Sequence, residues 1–459
     1  MKRSEKLGVM LAVLAALCLL TFGLRHYETK KEQIRETDAV ILAIAPDTVT
    51  SVSWDDGDIA LAFHKEENWI YDGDDAFPVN GDTLEDSLAV FRALGAAFVI
   101  EEPENLSLYG LDSPSCTISL EADGTAYEIL LGGYSVLDEQ RYVSIGDGNV
   151  YLVKEDPLDA FQKKLSDYVK HDAIPIFYKT TEITFSGTEN YTVCTPEDST
   201  LSYCAEDTYF VERGGQWLPL ETGNVTTYLS ALQSVALTDY VSYNATGEEL
   251  EAYGLAEPEL TATIAYETEN GDQREFTFHI GRNQEELKQA EEDDSVTVSA
   301  YIRIGDSQLL YPLTASKYKT LAAAGYDDLR HDEVMTADFE DIHTIEISLD
   351  GTLYAITSQK EENQDRVFYY NDEELDLSGF RVAAKSMRSA EYTDEAPTGR
   401  EEISVTYYLD NENFPEIRVT LYRYDGTNCL AQVNGETVCL VSRTAAVDLI
   451  EAVNAIVLG

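Results

Sequence analysis

Tyr109-Gly110-Leu111-Asp112-Ser113-Pro114 recurs later in the chain as Tyr253-Gly254-Leu255-Ala256-Glu257-Pro258. In each, a glycine that tolerates positive φ is followed four residues on by a proline that fixes φ, which makes a rigid entry into a strand. Working outward, both copies carry the same neighbours. An alternating strand opens each (Val52-Ser53-Trp54; Ile183-Thr184-Phe185), and period-two alternation marks a half-buried strand. A strand with a large aromatic follows (Trp69-Ile70-Tyr71; Trp217-Leu218-Pro219), then a helix, then a short strand (Phe98-Val99-Ile100; Tyr240-Val241-Ser242). The Tyr-Gly-Leu step leads into a meander, which in the first copy runs Cys116 to Leu120, Tyr127 to Leu131, Arg141 to Ser144 and Val150 to Val153.

A third copy is legible without the Tyr-Gly-Leu step. Ile345-Glu346-Ile347 opens it, Val367-Phe368-Tyr369 supplies the aromatic, and Leu430 to Val433 with Thr437 to Val441 closes the meander around Asn434-Gly435. The helix face is reused in all three. Leu84, Leu88, Phe91 and Leu94 form one apolar stripe, matched by Val225, Leu229, Leu232 and Val235 and by Phe380, Ala384, Met387 and Ala390. Asp82 is the expected N-cap of the first helix and Gly95 its expected C′ residue. Asp123-Gly124, Asp350-Gly351 and Asp425-Gly426 read as type I′ turns. The insertion Gln284 to Ser295 reads as a solvated hairpin tip. Copies one and two end in a short helix (Pro157 to Tyr168; Thr314 to Ala324) and a basic-His-Asp step, Lys170-His171-Asp172 and Arg330-His331-Asp332. Copy three ends in a helix, Ala445 to Val457, without that step, so His171, Asp172, His331 and Asp332 read as junction residues. The expected fold is α+β: an N-terminal transmembrane helix, then tandem β-rich units, each a twisted antiparallel sheet with one or two packed helices.

The membrane expectation rests on Leu7 to Leu24, eighteen residues without a charge. As a helix they span about 27 Å, near the hydrocarbon thickness of a bilayer. Arg25-His26-Tyr27 follows directly, and the one run of cleavage-site shape weighed, Ala43-Ile44-Ala45, lies far downstream and precedes Pro46, so a signal-anchor is expected. The expected organisation is a cytoplasmic tail 1–6, an anchor 7–24 embedded in the bilayer, a juxtamembrane linker 25–38 and repeat units 39–176, 177–334 and 335–459, the last degenerate. Those units are placed on the extracytoplasmic side.

Composition bounds the partners. Lys plus Arg is 32 and Asp plus Glu is 85, a formal charge of −53. Phosphate binding needs neutralising cations, so nucleic acid is excluded as a partner. The acids are scattered, which serves solubility and leaves divalent cations open as ligands. Cys194/Cys204 and Cys429/Cys439 each flank a turn and are candidate cross-strand disulfides, with free buried thiols as the alternative. Catalytic signatures are missing. Gly133-Tyr134-Ser135 lacks the closing glycine of a nucleophile elbow, and neither a Walker loop nor a His-Glu-x-x-His helix occurs. No catalytic residue, cofactor or metal site is therefore expected. Tyr109, Gly110, Leu111, Pro114, Tyr253, Gly254, Leu255 and Pro258 read as shape-setting residues.

The order of these motifs resembles the bacterial family catalogued as domain of unknown function 4340. Trp69-Ile70, the Tyr109 to Pro114 step, Leu131-Gly132, Tyr142-Val143 and Val150-Tyr151-Leu152-Val153 carry the resemblance. Trp217-Leu218, the Tyr253 to Pro258 step, Ile280-Gly281, Tyr301-Ile302 and Leu310-Tyr311-Pro312-Leu313 repeat it. In copy three Cys429 and Cys439 stand where Arg141 and Tyr151 stand in copy one. The resemblance implies an envelope protein associated with ABC-type transporters of the gliding-motility or auxiliary kind, and it carries no catalytic residues. The expected function is a non-catalytic, membrane-anchored accessory or scaffold. An envelope hydrolase using acidic residues and a calcium-stabilised surface adhesin are the alternatives.

Overall fold

The computed structural model describes residues 10, 13–21, 33–196, 201–360 and 365–458. The protein is α+β with three antiparallel sheets, in two compact units, Met1–His171 and Asp172–Gly459. Within the expected anchor, Met10 and Val13–Thr21 are helical, and the rest of Leu7 to Leu24 lies outside the described residues. Among the described residues no helix is long and apolar enough to cross a membrane.

The first unit holds β1 (Gln33–Glu36), β2 (Val40–Leu42), β3 (Val49–Asp55), β4 (Ala60–Lys65), β5 (Trp69–Tyr71), β6 (Leu94–Glu101), β7 (Cys116–Ala122), β8 (Thr125–Ser135), β9 (Gln140–Ser144) and β10 (Val150–Val153). They run in the order β1-β6-β10-β9-β8-β7-β3-β4-β5, with β2 also on β6. β1 corrects the sequence reading: part of the expected linker 25–38 is a strand, because Ile34 and Arg35 pair with Ile100 and Val99.

The second unit holds two sheets. The first of them comprises β11 (Lys179–Gly187), β12 (Tyr191–Cys194), β13 (Phe210–Arg213), β14 (Gln216–Pro219), β15 (Leu260–Glu267), β16 (Gln273–Arg282), β17 (Ala300–Ile304) and β18 (Leu310–Leu313), ordered β14-β13-β12-β11-β15-β16-β17-β18. The other comprises β19 (Ile342–Leu349), β20 (Thr352–Gln359), β21 (Val367–Tyr370), β22 (Glu373–Leu375), β23 (Ser389–Tyr392), β24 (Glu401–Leu409), β25 (Glu416–Arg423), β26 (Asn428–Val433) and β27 (Glu436–Ser442), ordered β22-β21-β20-β19-β24-β25-β26-β27-β23.

One topology is drawn three times. The opening strand (β3, β11, β19) is central, two strands in copy one and three in copies two and three extend one side, and a four-strand meander extends the other. The segment after the helix lands beside the last meander strand: β6 on β10, Ser242 bridged to Leu310, and β23 on β27. Each opening strand also carries the same one-residue bulge, at Thr50, Thr181 and His343. The third copy, expected to be degenerate, keeps the full strand order.

The helices Gly81–Leu88, Thr222–Gln233 and Ser378–Lys385 turn their stripes inward. Leu84, Leu88, Phe91, Leu94, Val225, Leu229, Leu232, Phe380, Ala384 and Met387 are buried. Val235 is half-buried and Ala390, on β23, is exposed. Each buried Leu or Phe contributes about 1.5–3 kcal/mol by leaving water. In the first unit Trp54 packs against Phe63, Phe161 and Tyr168, with centroids 5.6, 5.2 and 5.6 Å apart.

Several local expectations are corrected. Asn80 caps the first helix by accepting from the Thr83 N–H, so Asp82 sits inside the first turn. Gly95 lies in β6, because a 3-10 turn over Ala89–Ala93 feeds straight into that strand. The acidic insertion is a helix, Gln284–Ala290, capped by Asn283 accepting from the Glu285 and Glu286 N–H groups. Asp425-Gly426 is not a type I′ turn, since Asp425 accepts from the Thr427 and Asn428 N–H groups and Gly426 lacks positive φ.

Candidate functional site

The Tyr-Gly-Leu step is a crossing segment clamped to the meander by backbone contact. Gly110 has φ +70° and caps the 3-10 turn Leu106–Tyr109. Gly254 has φ +69° and follows the helix Gly247–Ala252. Left-handed backbone favours glycine, and there is also no room for more. A Cβ on Gly132 would lie 2.3 Å from the Tyr109 carbonyl oxygen, and one on Gly281 would lie 2.4 Å from that of Gly254. Tyr109 and Leu111 are buried with Ile100, Val150 and Leu152. Leu255 is buried with Tyr301 and Leu310, while Tyr253 is half-buried, its ring 4.4 Å from that of Tyr301. Pro114 and Pro258 follow just before β7 and β15.

Ion pairs stand beside each clamp, largely buried in copy one and about one-third exposed in copy two. In copy one the Arg141 side chain, 10% exposed, donates from Nε to Asp156 at 2.7 and 2.9 Å and from Nη1 to the Gly132 carbonyl at 2.7 Å. In copy two Arg282 donates to both carboxylate oxygens of Glu259 at 2.7 and 3.1 Å, and Tyr318 donates to the same carboxylate. Strand register makes Arg282 equivalent to Arg423, which lies 3.5 Å from Glu402.

The basic-His-Asp residues occupy different surroundings. His171 ends the first unit, half-buried. Asp172 opens the second, its N–H donating to the Tyr311 oxygen at 2.8 Å and its carboxylate accepting from the Tyr311 hydroxyl at 3.1 Å. Arg330-His331-Asp332 joins the second and third sheets. His331 Nε2 lies 2.8 Å from Asp207 Oδ1, and the His331 carbonyl accepts from the Tyr392 hydroxyl at 3.1 Å. Asp332 pairs with Arg388, and its carbonyl accepts from the Ser389 N–H at 2.7 Å. The Arg330 guanidinium lies 3.5 Å from the Tyr392 ring centroid.

Asp207 also accepts from the Ser202 hydroxyl at 2.7 Å. The order is therefore serine, aspartate, histidine. A hydrolytic triad needs histidine in the middle, where the imidazole can take the serine proton. Here Ser202 is turned to the carboxylate, so the group orders the loop that contains it.

Above this junction lies a cleft of about 600 Å³ between the second and third sheets, with Tyr203, Trp217, Tyr392 and Phe414 on its walls. Tyr203 packs on Phe414 with centroids 4.8 Å apart and accepts from Asn434 Nδ2 at 2.6 Å. The sequence reading missed the cleft, because its walls come from positions as far apart as Leu201 and Cys439. Trp217 was the available signal: a large aromatic on an edge strand, half-buried where its counterparts Trp69 and Phe368 are buried.

Of the two readings of the paired cysteines, the structure has the free-thiol one. All six cysteines are free. Cys194 faces Phe210 across the ladder, and Cys204 sits in the Ser202–Asp207 turn. Cys429 and Cys439 face Val441 and Ala431, a diagonal offset that keeps the sulfurs on separate register positions. Burial pushes the Cys116 thiol up to about 11 and raises that of Cys439. Among the described residues no group of three or more His, Cys, Asp or Glu side chains could hold a metal ion.

A family model described as a domain of unknown function, DUF4340, matches residues 69–191 and 214–410. No curated protein and no solved structure matches the chain. The two matched segments cover well over half of the sequence, in keeping with tandem copies of one domain, and the chain belongs to that family.

Proposed function

We propose that this member of the DUF4340 family is a non-catalytic scaffold, anchored in a bilayer by Leu7 to Leu24, with its sheets on the extracytoplasmic side. Its partner on this reading is an ABC-type transport system, of the gliding-motility-like or auxiliary kind, or another envelope assembly. The observation that supports it most is the use of the repeated signatures. The Tyr-Gly-Leu steps are consumed in backbone contact with Gly132 and Gly281, and Arg330-His331-Asp332 is consumed in joining two sheets. Residues spent in this way set shape, which suits a rigid spacer carrying binding surfaces. The strong negative charge keeps such a body soluble and sets it against anionic partners.

Crosslinking in native membranes followed by copurification tests the role. Recovery of transporter or envelope subunits is expected; recovery of lipid alone overturns it. Protease protection in sealed vesicles tests the placement, with digestion of the body expected only from the extracytoplasmic face.

A further inference from the structure

We propose that the cleft between the second and third sheets is a binding site for a neutral oligosaccharide. The inference is independent of where the protein sits in the cell and names a ligand that the scaffold reading does not require.

Charge compensation carries the first part. The charged groups on the deeper wall are already paired within the protein: Arg330 with Asp327 at 3.0 Å, His331 with Asp207 at 2.8 Å, and Glu333 with Arg388 at 2.8 Å, while Asp332 also bonds Arg388. An anionic ligand would have to break one of these pairs to reach a cation. A neutral ligand breaks none.

Ring chemistry carries the second part. Tyr203, Trp217, Tyr392 and Phe414 are each only half-buried and all line the cleft. Large aromatic rings supply much apolar contact area at low entropic cost when a flat apolar face covers them. A pyranose offers such a face of C–H groups with hydroxyls around its edge. At the mouth, the exposed side chains of Gln216 and Glu436 provide donors and acceptors for those hydroxyls. The volume of about 600 Å³ falls within the ~300–1,000 Å³ of small-ligand sites.

Trp217 makes the proposal measurable. The other two tryptophans, Trp54 and Trp69, are buried in the core of the first unit, so a change in tryptophan emission on ligand addition reports Trp217. The full chain in detergent is titrated with chitotetraose and with maltotetraose. A tetragalacturonate serves as the charged control and a neutral extended peptide as the rival ligand. Saturable emission change with at least one neutral sugar is expected, with none from the anionic one. Calorimetry should then show Trp217→Ala weakening that sugar by roughly tenfold and Trp217→Phe, which keeps a ring, weakening it less. Melting temperature, measured on both variants, shows that the fold is intact. No saturable binding of either neutral sugar, equal binding by folded Trp217→Ala, or binding of the peptide alone overturns the proposal.

Discussion

Copies one and three share the order of opening strand, four-strand meander and closing strand, with different closures. In copy one the crossing segment lies so close to β8 that Gly132 has no room for a side chain. In copy three the residue at that register position is Tyr422, and it carries a full ring. The crossing segment there is short, and a different glycine makes the approach: a Cβ on Gly399 would meet the Arg423 carbonyl oxygen at 1.8 Å. The long helix Arg443–Val457 then packs beside Ser378–Lys385. The comparison teaches that the topology is what recurs, while the clamp and the charge beside it are solved locally. Arg141 of copy one has Ala300 and Cys429 as its register equivalents, and the arginine role moves to Arg282 and Arg423 on the neighbouring strand.

The largest effect is expected at that moved charge. Arg141→Ala leaves the largely buried Asp156 carboxylate without its ion pair, held by the Leu158 N–H, and should destabilise the first unit by about 3 kcal/mol, read by denaturant unfolding. A second-unit transition that shifts equally would break the distinction between the two units. Next comes the clamp. Gly132→Ala or Gly281→Ala should cost about 2–3 kcal/mol through forced backbone displacement, whereas Tyr422→Ala in copy three should cost less than either. Equal losses at all three positions, measured as changes in melting temperature, would mean that the crossing segments are not what constrains these sites.

A smaller effect of opposite sign is expected at Tyr407. Its ring is fully buried against Phe339 and Phe380, and its hydroxyl has no hydrogen-bond partner among the described residues. In copy two the buried Tyr228 hydroxyl instead donates to the Leu321 carbonyl at 3.1 Å. Tyr407→Phe should therefore stabilise by about 1 kcal/mol, and Tyr228→Phe should destabilise by a similar amount. Matching signs in thermal melts would sink the contrast. The smallest perturbation is a count: denatured without reductant, the protein should show six reactive thiols, and native Cys116 should stay unreactive near pH 8. Four thiols or fewer would restore a disulfide to one of the pairs.

Much of the fold was legible because its signals are local and repeated. The helix stripes, the meander in copy one and the turns at Asp123, Asp350 and Asn434 are all read from neighbouring residues, and the last three do adopt positive φ. What escaped depends on distant pairing. The strand Gln33–Glu36 has no strong alternation of its own and exists because β6 offers an edge. Gly399 went unnoticed because Pro397-Thr398-Gly399 shares no wording with Tyr-Gly-Leu, although it meets the same place on the return strand. The acidic insertion was read as a tip from its polarity, but Asn283 at its start caps a helix that polarity alone does not reveal. The site residues fared unevenly for the same reason. Tyr109 and Leu111 pack within one copy, while the surroundings of His331 come from a loop more than a hundred residues away.

β1 and β2 together cover the outer side of β6, so its hydrogen-bonding groups are not on offer to another molecule. The corresponding strand of the third sheet, Ser389–Tyr392, ends its sheet without such a lid. It is short, its pairing to β27 is interrupted by a bulge, and it carries Glu391. These are the devices by which an open edge resists stacking end to end into polymers. The border of the first sheet thus passes from β6 to the four-residue β1 of the chain's own leading segment, while in the third sheet it stays at β23, guarded by irregularity and charge.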